Sequence, residues 1–193
     1  ADYNLASPLD VTGWWIKNNR NHVLYIPKAV SNYVIDSPVF ETDIWLGKNQ
    51  FINMYNEPRT PLKINFRLNR CTGYLNEYYE FKPKLPNECP NLIDRARLIA
   101  LQGACQSFIM SVPSCHEPNS NEINLFTGQN DTACRAFLNE LDYYGCYKTY
   151  RGDANFFSNE WRVWFSDYFA LDQSHDRLLL FDRNGLVVSE YYY

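Results

Sequence analysis

The chain has 193 residues, of which 17% are aromatic and 21% charged, with a net charge of −4 and a pI near 5.4. That length suits one domain, or one domain with a sizeable insertion, and the composition excludes an intrinsically disordered chain. The 18 basic residues are scattered, with Arg95/Arg97 and Lys82/Lys84 only as pairs, which argues against a nucleic-acid partner; no apolar run approaches the ~20 residues of a membrane span.

In chain order, the opening "ADYNLASPLD" is polar and small, compatible with a mature protein after leader cleavage. "ADYNLASPLDV" is also a candidate strand donor to a neighbouring subunit. Residues 8–66 read as short strands. "VTGWWIKNN", "HVLYIP", "SNYVIDSPVF" and "DIWLGKNQFINMY" are rich in β-branched and aromatic residues and are punctuated by turn residues. "PLKINFRL" alternates Leu62, Ile64, Phe66 and Leu68 with Lys63, Asn65 and Arg67, the pattern of a half-buried strand.

After Arg70 the character changes. "CTGYLNEYYEFKPKLPNEC" reads as a rigid extended loop, too irregular for a helix. "NLIDRARLIALQGACQSFIMSV" has helical spacing, with Asn91 as a cap and a break at Gly103. "DTACRAFLNELDYYGC" is a second predicted helix, with Asp131 as N-cap and Gly145 as C-terminal cap. Strands then return in "EWRVWFS" and in "DRLLLFDRNGLVVSEYYY", where Asn184-Gly185 marks a hairpin.

The six cysteines all lie between Cys71 and Cys146, without C-x-x-C spacing. An even set with no zinc spacing predicts three disulfides and an oxidising compartment. Sequential pairing is expected, because each pair then brackets a compact block: Cys71–Cys89, Cys105–Cys115 and Cys134–Cys146.

"DVTGWWIKNNRNHVLYIP", "DIWLGKNQFINMYN" and "HDRLLLFDRNGLVVSEYYY" resemble, in this order, segments of the lamin-tail-like domain, an immunoglobulin-like sandwich. The resemblance covers somewhat under half the chain. Ser189 stands where an acid is common, and the segment between about Arg70 and Asn159 is far longer than the basic pattern. "FRLNRCTGYL", "LPNECP", "VPSC", "ACRAFL" and "YYGC" look like a disulfide-bearing elaboration found in secreted bacterial versions. The resemblance implies an interaction or structural module without an active site of its own. The expected fold class is therefore mainly β with a helical insertion (α+β). Residues 1–70 and 160–193 are expected to form an immunoglobulin-like β-sandwich, interrupted by a cysteine-rich, disulfide-stapled helical segment at 71–159.

No catalytic constellation emerges from the sequence. G-x-S-x-G, H-E-x-x-H, P-loop and dinucleotide patterns are absent. His116 with Glu117 and Glu122 is a candidate metal set, but the stretch reads as a polar loop; Cys115 beside His116 reads as a paired cysteine, not a nucleophile. Carboxylates such as Asp43, Glu80 and Asp153 form no evident pair. No metal and no cofactor is expected. Asn130 begins an N-glycosylation sequon. Tyr78, Tyr79, Phe81, Tyr147, Tyr150, Tyr191 and Tyr193 form a candidate contact surface, since Tyr supplies large area at low entropic cost.

The functional expectation is a non-enzymatic extracellular or cell-surface structural or adhesive module. One form of it is a self-assembling subunit of a surface layer or filament, with other copies or cell-surface proteins as partners. A carbohydrate-binding module, with a glycan partner, is the alternative, and a secreted hydrolase with unidentified acids the third.

Overall fold

A computed structural model describes residues 7–56, 62–93, 95–165, 169–172 and 175–192. It is an α+β chain in two compact units. The first comprises Ala1–Tyr33, Ser37–Leu68 and Ser158–Tyr193; the second comprises Val34–Asp36 and Asn69–Phe157. The sequence places the insertion at 71–159, and the second unit begins and ends two residues earlier.

The first unit holds the strands. A four-stranded antiparallel sheet has the order β3 (Val23–Tyr25), β2 (Trp15–Lys17), β8 (Arg177–Phe181), β9 (Val187–Tyr192). A three-stranded sheet has the order β5 (Phe51–Tyr55), β7 (Phe157–Trp164), β6 (Phe66–Asn69), and β1 (Leu9–Asp10) pairs with β4 (Trp45–Leu46). β5 and β7 run parallel, from Phe51 opposite Glu160 to Tyr55 opposite Trp164. The core gathers Val11, Ile26 and Ile44 around Trp161 and Val163 of β7.

β7 is central in its sheet, and this explains a departure from simple alternation. Trp161 and Val163 are buried as the pattern predicts, but Arg162 and Trp164 are buried as well. Arg162 Nε donates to Glu160 at 2.6 Å, and its guanidinium lies 5.5 Å from the Tyr55 ring centre. A buried charge of this kind persists because it is paired. The predicted strand "PLKINFRL" is shorter than expected. Only Phe66–Asn69 is a strand, and Lys63 has a positive φ of 55°. The Asn184-Gly185 hairpin is present: Gly185 takes φ +79°, and Asp182 Oδ1 accepts the N–H groups of Asn184 and Leu186.

The second unit holds the helices: α1 (Leu75–Tyr78), α2 (Arg95–Ile99), α3 (Gly103–Ser111), α4 (Ser120–Ile123), α5 (Thr132–Leu138) and α6 (Tyr143–Tyr150). The stretch after Cys71 therefore does turn helically, against its reading as a plain extended loop. The break between α2 and α3 falls just before Gly103. Asn91 accepts the N–H of Ile93. Asp131 stands at the N-cap of α5, but its carboxylate accepts from the Gly128 N–H instead of from the helix.

Gly145 is not a C-terminal cap. It lies in the first turn of α6, where Asp142 Oδ1 accepts its N–H at 2.6 Å. A Cβ there would stand 2.0 Å from the Glu140 carbonyl oxygen, so the residue is glycine for close approach.

All six cysteines are bonded, but not in sequence order. The pairs are Cys71–Cys146, Cys89–Cys115 and Cys105–Cys134. The expected pairing fails for a geometric reason. Cys105 sits in the first turn of α3 and Cys115 lies beyond its end. A helix advances about 1.5 Å per residue, which carries these two past the roughly 4.4–6.8 Å that a disulfide spans between Cα atoms. Cys105 instead meets Cys134 of α5 at a Cα separation of 6.1 Å. Cys115 turns at φ 61° onto Cys89, and Cys71 reaches Cys146 of α6.

Candidate binding cleft

The first unit has a concavity that follows from the two-residue period of its strands. In the four-stranded sheet Ile16 lies opposite Leu24 and Leu180, and Leu178 lies opposite Tyr191. These positions share one face. The register shifts between Leu180 and Phe181, so that Phe181 opposes Val187 and Val188 is left without an opposite residue. Ile16, Leu178, Leu180 and Val188 line one wall of a cleft of about 1,190 Å³, and Ile52 and Met54 of β5 line another. Leu9 and Leu46, partners in the β1–β4 pair, also line it. The volume lies somewhat above the ~300–1,000 Å³ of small-molecule pockets.

Polar groups gather at the 47–50 turn, at Asp182 and at Ser189-Glu190, and Gln50, Asp182 and Glu190 among them already have partners within the unit. Gln50 Oε1 accepts from Gly47 N at 3.3 Å and from Trp161 Nε1 at 3.5 Å, and Asp182 closes its own turn. What the walls offer is apolar area and strand edges. β5 and β9 are both outermost strands of their sheets. An outermost strand carries backbone N–H and C=O groups directed away from its sheet.

The opposite face of the four-stranded sheet carries aromatics. Trp15 stacks on Phe181 with ring centres 3.8 Å apart and planes 5° from parallel, and Tyr25 lies 6.3 Å from Trp15. Arg177 lies 5.5 Å from the Tyr192 ring centre and is ion-paired with Glu190 at 2.6 Å.

In the second unit, His116 is held between two carboxylates. Nδ1 is 3.2 Å from Glu77 and Nε2 is 3.3 Å from Glu122. Burial works against its charge, but the hydrogen bonds to Glu77 and Glu122 outweigh it and hold the imidazole pKa above the ordinary value. Glu122 also accepts the Asn119 N–H at 2.7 Å in a capping box. Glu117 accepts the Tyr78 hydroxyl; burial first, and then this bond, raise the pKa of that phenol. Among the described residues no cluster of three or more His, Cys, Asp and Glu is arranged to hold a metal ion. Cys115 is bonded to Cys89, so its thiol is not a nucleophile.

The aromatic residues singled out in the sequence differ in exposure. Phe81 and Tyr147 are buried, Phe81 against Tyr79 and Tyr147 against Tyr143 and Phe156, which corrects their assignment to a contact surface. Tyr79 is half-buried. Tyr150 is half-buried too and donates its hydroxyl to the Asn91 carbonyl. Tyr78 and Tyr191 are exposed, and Tyr191 lines the cleft. Tyr193 lies outside the described residues, as do residues 1–6 of the candidate strand donor. Asn130 is exposed in a short 3₁₀ turn. Asp43 lies 3.8 Å from Lys28, and Asp153 pairs with Arg70 at 3.2 Å.

The sequence points to most of the strands, but "SNYVIDSPVF" forms turns and bends rather than a strand, and the cleft is not foreseen. The available signal was the apolar content of "FINMY" and "RLLLF", which in sequence read only as strands. Among the described residues no helix is long and apolar enough to cross a membrane. Comparison with protein-family models, curated proteins and solved structures returned no match.

Proposed function

We propose that this chain is a non-enzymatic extracellular structural or adhesive module that works by binding polypeptide, most directly other copies of itself. The observation that carries this reading is the apolar cleft of about 1,190 Å³, whose walls include two outermost strands, β5 and β9. Strand edges beside uncovered apolar surface are the features through which sheets recruit further chain. The three disulfides support an oxidising compartment, and with it an extracellular or cell-surface location.

A lamin-tail-like, immunoglobulin-like sandwich is the fold proposed for the first unit. The four- and three-stranded sheets around one core and the closing Asn184-Gly185 hairpin support it. Trp15 and Phe181 each spend one ring face on the other, which reduces the aromatic face they offer to a carbohydrate.

Sedimentation equilibrium of the oxidised chain from micromolar to millimolar concentration tests the reading. Reversible dimers or larger assemblies are expected. A strict monomer across that range overturns it.

A further inference from the structure

In the second unit one imidazole joins two helices. His116 follows the bridged Cys115, with Nδ1 3.2 Å from Glu77 Oε1 of α1 and Nε2 3.3 Å from Glu122 Oε2 of α4. An ionised carboxylate only accepts hydrogen bonds, and a neutral imidazole has a single N–H. Both contacts are therefore hydrogen bonds only for the imidazolium. In either neutral tautomer one ring nitrogen turns a lone pair toward a carboxylate, and the link from α1 through His116 to α4 breaks at that nitrogen. The raised pKa of His116 agrees with this geometry: burial opposes the charge, and the bonds to Glu77 and Glu122 outweigh it.

The titratable groups that face this corner are Tyr74 just before α1, Glu77 and Tyr78 on α1, Glu117 on the loop, Glu122 on α4 and Asp142 at the start of α6. Tyr78 donates to Glu117, and burial first, then this bond, keeps its phenol protonated well beyond neutral pH. The ends of the segment are fastened by other means. Cys115 is bridged to Cys89, while Phe126 has ring contact with Phe108 of α3 and accepts from Arg135 at its carbonyl. Between these ends α4 is four residues long, and a helix that short owes its stability to its attachments.

We propose that His116 is a pH-operated clasp: protonated, it fastens α4 to α1, and on losing its proton it releases α4 while Cys115 and Phe126 stay in place. A folded pKa above the unfolded value near ~6.5 gives a contribution that is fully present below that value and is lost as pH rises through the folded pKa. The clasp is thus shut in mildly acidic surroundings and opens in alkaline ones. It works within the second unit and does not depend on assembly.

Two measurements on the oxidised full chain test this. Ring-nitrogen NMR should show His116 protonated at both nitrogens at about pH 6 and titrating above the ~6.5 of an unperturbed histidine. Residues 123–126 carry the amides bonded within and just after α4. Their protection from hydrogen exchange, corrected for the intrinsic effect of pH, should fall at least about threefold between about pH 6 and about pH 9, with β7 unchanged. His116→Gln, with its fold checked by the exchange of β7, should show the lower protection at both pH values. Glu77→Gln leaves the α4 capping box intact and should lower the His116 pKa. A His116 pKa at or below ~6.5, or one that Glu77→Gln leaves unchanged, overturns the clasp. So does protection of residues 123–126 that ignores pH, or that responds to it equally in His116→Gln.

Discussion

Asp176 is among the most buried polar residues described, at 2% exposure. Its carboxylate accepts the backbone N–H groups of Asp172 at 2.9 Å, Asn19 at 3.0 Å and Arg177 at 2.8 Å. These bonds, the one from Asp172 foremost, hold its pKa below the ordinary carboxylate value against the opposing effect of burial. A depressed folded pKa stabilises the fold above the unfolded value near ~3.9, and that contribution is lost as pH falls through the folded value. Asp176→Asn is therefore expected to lower the melting temperature at neutral pH and to flatten its fall on acidification. Thermal melts taken from neutral pH down to about pH 2 check this, and an unchanged acid limb counts against the assignment. Nothing near Asp176 in sequence announces this role, because its partners are backbone amides that carry no residue-type signal. Asn184-Gly185 is the contrasting case. Its conformational demand is local, so the dipeptide alone was enough to locate the hairpin.

Between elements, the disulfides determine which helices stay together. Cys105 and Cys134 join α3 to α5 across a separation of 29 residues. Replacing both by Ala is expected to cost roughly 3.5 kcal/mol in the chain-entropy model and to speed amide exchange in α3 and α5 while that of β7 and β8 stays unchanged. Exchange spectra of the two forms give the comparison, and equal rates in α3 and α5 would sink the expectation. Another pair explains a small residue. A Cβ on Gly73 would fall 2.2 Å from Cys115 Sγ and 2.7 Å from the Pro86 carbonyl oxygen, so the Cys89–Cys115 bridge requires glycine there. The helix pair 95–111 was legible from apolar spacing and from Gly103. The pairing of cysteines was not, because it depends on which helices pack, and packing is decided by residues far apart in the chain. Gly145 was misread for a related reason: a glycine after a helical run signals a cap, but here the next helix has already begun.

At the scale of the molecule, a β-first, helix-second, β-last order was readable from the change of character at Arg70 and from the return to alternation after Asn159. The cleft was not readable. Alternation in "FINMY" states that one face of a strand is apolar, but whether a further strand covers that face depends on the breadth of the opposing sheet. The aromatic residues were misleading for the opposite reason. Phe81 and Tyr147 are rich in contact area, and the second unit uses it internally.

The Cys71–Cys146 bridge gives the chain a mechanical bypass. Tension applied at the two ends passes from Cys71 to Cys146 through sulfur, and the intervening chain, with a sequence separation of 75, bears none of it. At about 3.3–3.6 Å per residue, this hides roughly 250 Å of contour length. Under optical tweezers the oxidised protein should stretch short by that amount, and adding reductant should release it as an extra lengthening; equal lengths in both redox states would refute the bypass. For a module held between neighbours, the consequence is a shortened link: the rest of the chain can lengthen under force while the helical unit stays out of the load path.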